Sequence, residues 1–235
     1  MKSIKANNPN IGRVVITSSF ASIIDLSKGL RPGYTYTEKD WNPSTYEEAA
    51  ASKDGVKVYC DSKKLAEEAA FDFVKTEKPN FTISTICPPM VYGPIAHKVT
   101  NINRLNESSE DLWKLINGSS KEVPPTGFWA WADVRDLGKA HRLAYESEKA
   151  ANERFLITSG NYSFQIFADI IRKNFPELKD KTPEGKPGSG LGVEVYGVDN
   201  SKAKTVLGLE FRDAETSITD SITRLLEIQK KLGAS

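Results

Sequence analysis

The sequence predicts an α/β fold built on parallel strands, and three observations carry that prediction. Residues 13–19 and 81–87 are short apolar runs of strand length, a helical pattern lies between them, and five more helical patterns follow. Strand–helix–strand alternation of this kind places helices over a parallel sheet through right-handed crossovers.

The elements follow in chain order. Residues 2–6 read as the last turn of a helix, closed by the turn cluster Asn7-Asn8-Pro9-Asn10-Ile11-Gly12. In the first strand, Val14, Val15 and Ile16 form a continuous apolar run, the pattern of a strand covered on both faces. Such a central strand needs a neighbour on each side, and residues 81–87 supply only one. The expectation is therefore that strands normally preceding Met1 are missing. Residues 20–58 form a long polar connection, a length that is often functional. A helix is expected from Ser62 to Lys75, with Leu65, Ala66, Ala69 and Phe73 on its apolar stripe and Glu67, Glu68 and Asp72 toward water. Later helices are expected at 109–117, 134–147, 163–174, 200–207 and 213–231, with Ser108 or Ser109 capping the first and Ser163 the third. Arg154–Thr158 reads as a short strand, and residues 181–193, rich in Gly and Pro, as an irregular loop.

Composition narrows the function. The chain has 235 residues, with 32 Lys+Arg against 31 Asp+Glu and a net charge of +1, which gives no electrostatic case for a nucleic-acid partner. No apolar run approaches the ~20 residues of a membrane span, and residues 2–7 do not resemble the apolar core of a signal peptide. Two cysteines, Cys60 and Cys87, and two histidines, His97 and His141, suit a reducing cytoplasm and give no zinc-ligand pattern.

Tyr59-Cys60-Asp61-Ser62-Lys63 sets a phenol and an ammonium four residues apart, on one face of a helix. A cation beside a phenol favours the phenolate, so such a tyrosine exchanges protons with a carbonyl or alcohol oxygen near neutral pH. The spacing alone is weak: with 8 Tyr and 32 Lys+Arg about one such pair arises by chance, and Tyr145 with Lys149 is a second instance at a helix end. Context favours the first pair. Ser18 and Ser19 end the apolar strand at the carboxyl edge, where open α/β sheets place their ligand crevice. Asp133, Arg135 and Asp136 read as a structural ion cluster, His141 as a packing residue, and Trp129 and Trp131 as either pocket lining or core.

Thr17-Ser18-Ser19, Tyr59-x3-Lys63, Pro88-x-x-Val91-Tyr92-Gly93-Pro94 and Asp133-Val134-Arg135-Asp136 occur in the order of extended short-chain dehydrogenases/reductases. The sequence most resembles the fungal NADPH-dependent aldehyde/ketone reductases (methylglyoxal or isovaleraldehyde type) and the plant dihydroflavonol reductase-like proteins. Trp41-Asn42-Pro43, Ser62-Lys63-Lys64-Leu65-Ala66-Glu67 and the loop from Gly185 to Gly190 share that likeness.

The resemblance implies a partial Rossmann-type parallel sheet with a smaller C-terminal substrate lobe. Residues 1–93 would be the remainder of the dinucleotide-binding domain. Residues 94–235 would be chiefly the substrate lobe, with some elements returning. It implies a catalytic Ser19 that polarises the carbonyl, Tyr59 as general acid and Lys63 beside it. Cofactor contacts would come from Tyr59, Lys63, Pro88, Val91 and Ser108, with NADP as cofactor, NAD not excluded, and no metal. The partner would be a small carbonyl substrate, with no nucleic acid and no membrane. The departure is the Gly-x-x-Gly-x-x-Gly turn that holds the pyrophosphate, which this sequence lacks. The expectation is a cytoplasmic carbonyl reductase compromised by that missing loop. The alternatives are a non-catalytic remnant or interaction protein, and a nucleotide-sugar epimerase or dehydratase.

Overall fold

The computed structural model describes residues 1–233. Its elements are α1 (Lys2–Asn7), β1 (Arg13–Thr17), β2 (Thr35–Tyr36), α2 (Tyr46–Ala51), α3 (Gly55–Glu77), β3 (Thr82–Cys87), β4 (Met90–Tyr92) and α4 (Glu107–Ile116). They continue with β5 (Ala130–Asp133), α5 (Val134–Glu146), β6 (Glu153–Leu156), β7 (Gly160–Asn161), α6 (Phe164–Asn174), β8 (Gly197–Val198), α7 (Ser201–Leu207) and α8 (Ala214–Leu232). The fold is α/β. The chain forms two compact units, one of Met1–Pro89, Asp136–Thr158 and Val195–Glu210, the other of Met90–Arg135, Ser159–Glu194 and Phe211–Ser235.

The first unit is built on a parallel sheet of order β1-β3-β6, with Val14 opposite Ile83 and Ile86 opposite Phe155. Ile83, Ile86, Phe155 and Leu156 are buried, as a sheet covered on both faces requires. Helix α3 packs on β3 and on the 3-10 turn Phe20–Ser22 that follows β1. The guanidinium of Arg13 donates to the carbonyls of Ala144 and Ser147, tying the end of α5 to β1. Within residues 20–58, β2 pairs in parallel with β8, and Tyr36 packs edge-on against Phe20 and Tyr196.

In the second unit β4 pairs in parallel with β5, and β5 pairs antiparallel with β7. Tyr92, Trp131, Tyr162, Phe164 and Phe167 form an aromatic core with Ile218, Ile222 and Leu225 of α8. Trp131 is therefore core. Asp133, buried at the end of β5, accepts from both the backbone N–H and the guanidinium of Arg135 and from the Ser217 hydroxyl; Arg135 also bridges to Asp220. No helix among the described residues is long and apolar enough to cross a membrane.

Several expectations need correction. The apolar run of β1 is half-buried, because β1 forms one edge of its three-stranded sheet. Helix α3 begins seven residues before the expected Ser62, since the Asp54 carboxylate caps the N–H groups of Val56 and Lys57. Ser108 and Ser109 lie inside α4, whose N-cap position is Asn106. Ser163 does cap α6, accepting from Ile166 N at 3.2 Å.

The largest reversal concerns the faces of α3. Ala66 and Ala69 are exposed, whereas Cys60, Asp61, Glu67 and Ala70 are buried. Glu67, only 2% exposed, is the most heavily bonded carboxylate of the first unit. Its Oε1 accepts from Thr85 Oγ1 and, at 2.8 Å, from Arg154 Nε. Its Oε2 accepts from Ser18 Oγ at 2.6 Å, from Ser22 Oγ and from Arg154 Nη2 at 3.3 Å. Arg154 donates further to the carbonyls of Glu38 and Asp40 and lies 3.4 Å over the ring centroid of Trp41. Burial alone would raise the Glu67 carboxyl, but the hydrogen bonds and charge of Arg154, with the Ser18 and Ser22 hydroxyls, hold it below the usual carboxylate range.

Removing one partner of a buried pair leaves the other charge uncompensated, a cost of about 3–5 kcal/mol. Arg154→Met is therefore expected to lose about that much in urea unfolding, and a loss within experimental error would refute the arrangement. Because the folded Glu67 carboxyl sits low, its contribution is complete above the unfolded value of about 4.3 and fades as pH falls through the folded one. The stability gap between wild type and Glu67→Gln should therefore narrow on acidification.

Candidate active site

The site grows from the carboxyl end of β1. Ser18 N donates to Ile86 O at 2.7 Å and Phe20 N to Pro88 O at 2.8 Å, carrying the β1–β3 pairing past the strand ends. Ser19 between them is extended, and its Oγ accepts from Ala21 N at 3.1 Å, capping the turn Phe20–Ser22. Ser19 is 9% exposed, and its hydroxyl proton is given to no group of the described residues. Ser19 therefore keeps a donor for an oxygen brought against it.

Tyr59 and Lys63 lie one turn apart on α3. Tyr59 is 51% exposed, and neither its phenol nor the Lys63 ammonium bonds any described residue. Two buried carboxylates set the rotation of the helix that carries them. Asp61, about 200° around the helix from Tyr59 by the 3.6-residue turn, takes hydrogen bonds from Lys57 Nζ and Asn42 Nδ2, and Asn42 also donates to Ala21 O. Burial acts to raise the Asp61 carboxyl, but the bonds from Lys57 and Asn42 hold it low. Farther along, Glu67 is gripped by Ser18 and Ser22 on either side of Ser19. The turn holding the serine and the helix holding the phenol are thus joined at two points, one at Asp61 between Tyr59 and Lys63 and one at Glu67, a turn beyond Lys63.

The remaining expected positions are more dispersed. Pro88 is buried directly after β3, its carbonyl bonded to Phe20. Val91 and Ser108 belong to the second unit, Val91 half-buried in β4 opposite Ala132 and Ser108 accepting from Asn106 Nδ2 at 3.0 Å. Asp61, Glu67, Asn42 and Arg154 were not anticipated. The available signal was Arg154 itself, since a guanidinium at the head of an apolar strand needs a buried acceptor.

Other candidates separate cleanly. Burial and the neighbouring Tyr162 hydroxyl push the Tyr92 phenol far above the ordinary tyrosine range, so it holds its proton. Tyr145 is exposed at the end of α5. His141 bonds Thr17 Oγ1 and Leu137 O through its two ring nitrogens.

No sequence-family profile matches the chain. Individual relatives do. The chain is 38% identical to a ketoreductase of Aspergillus niger over 97% of its length, and 34% identical to the NADPH-dependent methylglyoxal reductase of Saccharomyces cerevisiae over 95%. It spans 66% of each of these curated relatives. The crystal structure of yeast methylglyoxal/isovaleraldehyde reductase complexed with NADPH superposes with a TM-score of 0.89 at 32% identity, covering 98% of this chain and 68% of that one.

Cys60, between Tyr59 and Lys63, is buried, and burial with the nearby Asp61 charge pushes its thiol up to about 11; burial raises Cys87 to about 12. Neither is activated. At pH 8 the Cys60 thiolate population should be about a hundredfold below that of an ordinary thiol. Native protein is accordingly expected to react with a disulfide reagent at least that much more slowly than unfolded chain, and rapid native labelling of Cys60 would contradict the burial.

Proposed function

The chain belongs to the fungal NADPH-dependent methylglyoxal/aldehyde reductases of the extended short-chain dehydrogenase/reductase superfamily, and on that premise we propose that it serves the NADPH-dependent reduction of small aldehydes and ketones to alcohols in the cytoplasm. One observation carries the reading: on α3 an unpartnered phenol and an unpartnered ammonium share a face, and the helix is pinned to a serine whose hydroxyl proton is uncommitted. These are the groups that carbonyl reduction requires, and none of the described residues consumes them.

The nicotinamide end of NADPH would fit this set, because its ribose offers hydroxyls to the Lys63 ammonium. When bound, the cofactor supplies the hydride. In the proposed arrangement Ser19 donates a hydrogen bond to the substrate carbonyl oxygen and fixes its position. Tyr59 passes its phenolic proton to the same oxygen as negative charge develops there. Lys63 hydrogen-bonds the ribose, and its charge stabilises the phenolate that Tyr59 becomes. Pro88, Val91 and Ser108 are proposed cofactor contacts. Residues 1–89 with the returning segments 136–158 and 195–210 would bind cofactor, and the second unit would supply the substrate lobe.

The sequence contains no Gly-x-x-Gly-x-x-Gly stretch, so none of its residues forms the usual pyrophosphate cradle. Affinity of this chain for NADPH is therefore expected to be weak, and the test must be run at high cofactor concentration. With methylglyoxal or a branched aldehyde, Tyr59→Phe should cut NADPH oxidation by about 10²–10⁴-fold, the usual yield of a positioned general acid. Cofactor binding, followed by nucleotide fluorescence, should remain saturable, because Lys63 and the other proposed contacts are kept. Equal rates in both proteins, or no saturable NADPH binding by a folded wild type, would overturn the proposal.

A further inference from the structure

Helix α3 carries three lysines with an acid four residues later: Lys57–Asp61, Lys63–Glu67 and Lys64–Glu68. The spacing is the same in all three, and i,i+4 side chains lie within reach of one another. Two of the pairs are closed: Lys57 bonds Asp61, and Lys64 lies 2.8 Å from Glu68. The middle pair is open. Glu67 turns inward and Lys63 is left without a partner among the described residues.

Helix propensity and spacing do not distinguish the open pair from its neighbours, so something outside the helix decides. Both Glu67 oxygens are filled from other elements, Oε1 by Thr85 and Arg154, Oε2 by Ser18, Ser22 and Arg154. A carboxylate has about four lone-pair sites, and five such donors leave none for a lysine. The hydroxyls are neutral, and Arg154 is the cation that balances the buried charge. Its own orientation is fixed by the carbonyls of Glu38 and Asp40 and by stacking on Trp41.

We infer that Arg154 is a positioning residue: by holding Glu67 it keeps that acid from closing onto Lys63, and so leaves the ammonium free for the nicotinamide ribose. The inference rests on the role proposed for Lys63. Without Arg154, the uncompensated Glu67 has Lys63 as its cation one turn earlier on the same helix, and pairing there takes the charge away from Tyr59 and the cofactor. Arg154 then acts on the site through Glu67 without touching substrate or cofactor.

The test is competitive acetylation of the intact chain with limiting acetic anhydride, reading Lys57, Lys63 and Lys64 separately by peptide mass spectrometry. An i,i+4 ion pair is worth a few tenths of a kcal/mol, so closure of Lys63–Glu67 should slow Lys63 acetylation about two- to threefold. Arg154→Met is expected to show that drop, with Lys57 and Lys64 unchanged. Arg154→Lys retains a buried charge but lacks the planar fork that serves Glu67 and the two carbonyls together, so it should show a smaller drop in a protein that folds. The double variant Arg154→Met/Glu67→Gln should return Lys63 to the wild-type rate, which a purely structural role for Arg154 does not predict. Unchanged Lys63 labelling in the folded Arg154 variants, or no recovery in the double variant, overturns the inference. If labelling follows the expected pattern but wild type neither binds NADPH nor responds to Tyr59→Phe, the division of charges stands and the functional reading falls. If Tyr59→Phe behaves as proposed while Lys63 labelling never moves, the reading stands and the role of Arg154 falls.

Discussion

The first unit is organised around a carboxylate that water cannot reach. Glu67 draws donors from the end of β1, from the turn after it, from β3 and from β6, and each must arrive in register for the charge to be satisfied. Desolvating a carboxylate costs several kcal/mol, and a partial set of partners does not recover it. A sheet slipped by one residue would turn Thr85 to the other face and strand the charge. The network therefore selects one packing among those the apolar contacts alone would allow.

A second consequence is local to the chemistry. Asp61 and Glu67 are structural acids that fix the rotation of α3, and their partners are supplied by Lys57, Asn42 and Arg154. With those charges paired off, Tyr59 and Lys63 remain on the helix with no partner among the described residues. The second unit repeats the device with other residues: Asp133 is buried at a strand end, bound by Arg135 and capped by Ser217. In each case a buried acid and an arginine lock a strand end to a helix. Helix α8, which holds Ser217 and Asp220, has no tyrosine, whereas α3 carries a phenol and an ammonium that bond no described residue.

Much of this was legible from residue order. Helices α4 to α8 follow 3.6-residue patterns with recognisable ends, and the structure places all of them within a few residues of the expected bounds. β1, β3 and β6 announce themselves as apolar runs. The two- to four-residue strands β2, β4, β5, β7 and β8 do not, because so few residues show no alternation and their pairing depends on partners distant in the chain. The early start of α3 does not show in its apolar stripe, which begins at Leu65; its signal is the Asp54-Gly55 cap. Ser19, Tyr59 and Lys63 were singled out by their order along the chain and by the family resemblance. Their spacing alone would have left Tyr145 and Lys149 as rivals.

The residues that support that site were invisible for a physical reason. On a helical wheel Glu67 belongs with the charges expected to face water and Ala66 and Ala69 with the core, while Asp61 falls before the expected helix. The structure inverts this assignment because burial of a carboxylate depends on donors 87 residues away at Arg154 and 19 residues away at Asn42. Local sequence by itself determined the α/β class, the major helices, the family likeness and the identity of the candidate chemical groups, since those depend on periodicity and on motif order. Only the tertiary structure decided which face of α3 is inside, and which of its three lysine–acid pairs close and which stays open. Such choices depend on partners brought together from separate strands, and no window along the chain contains them.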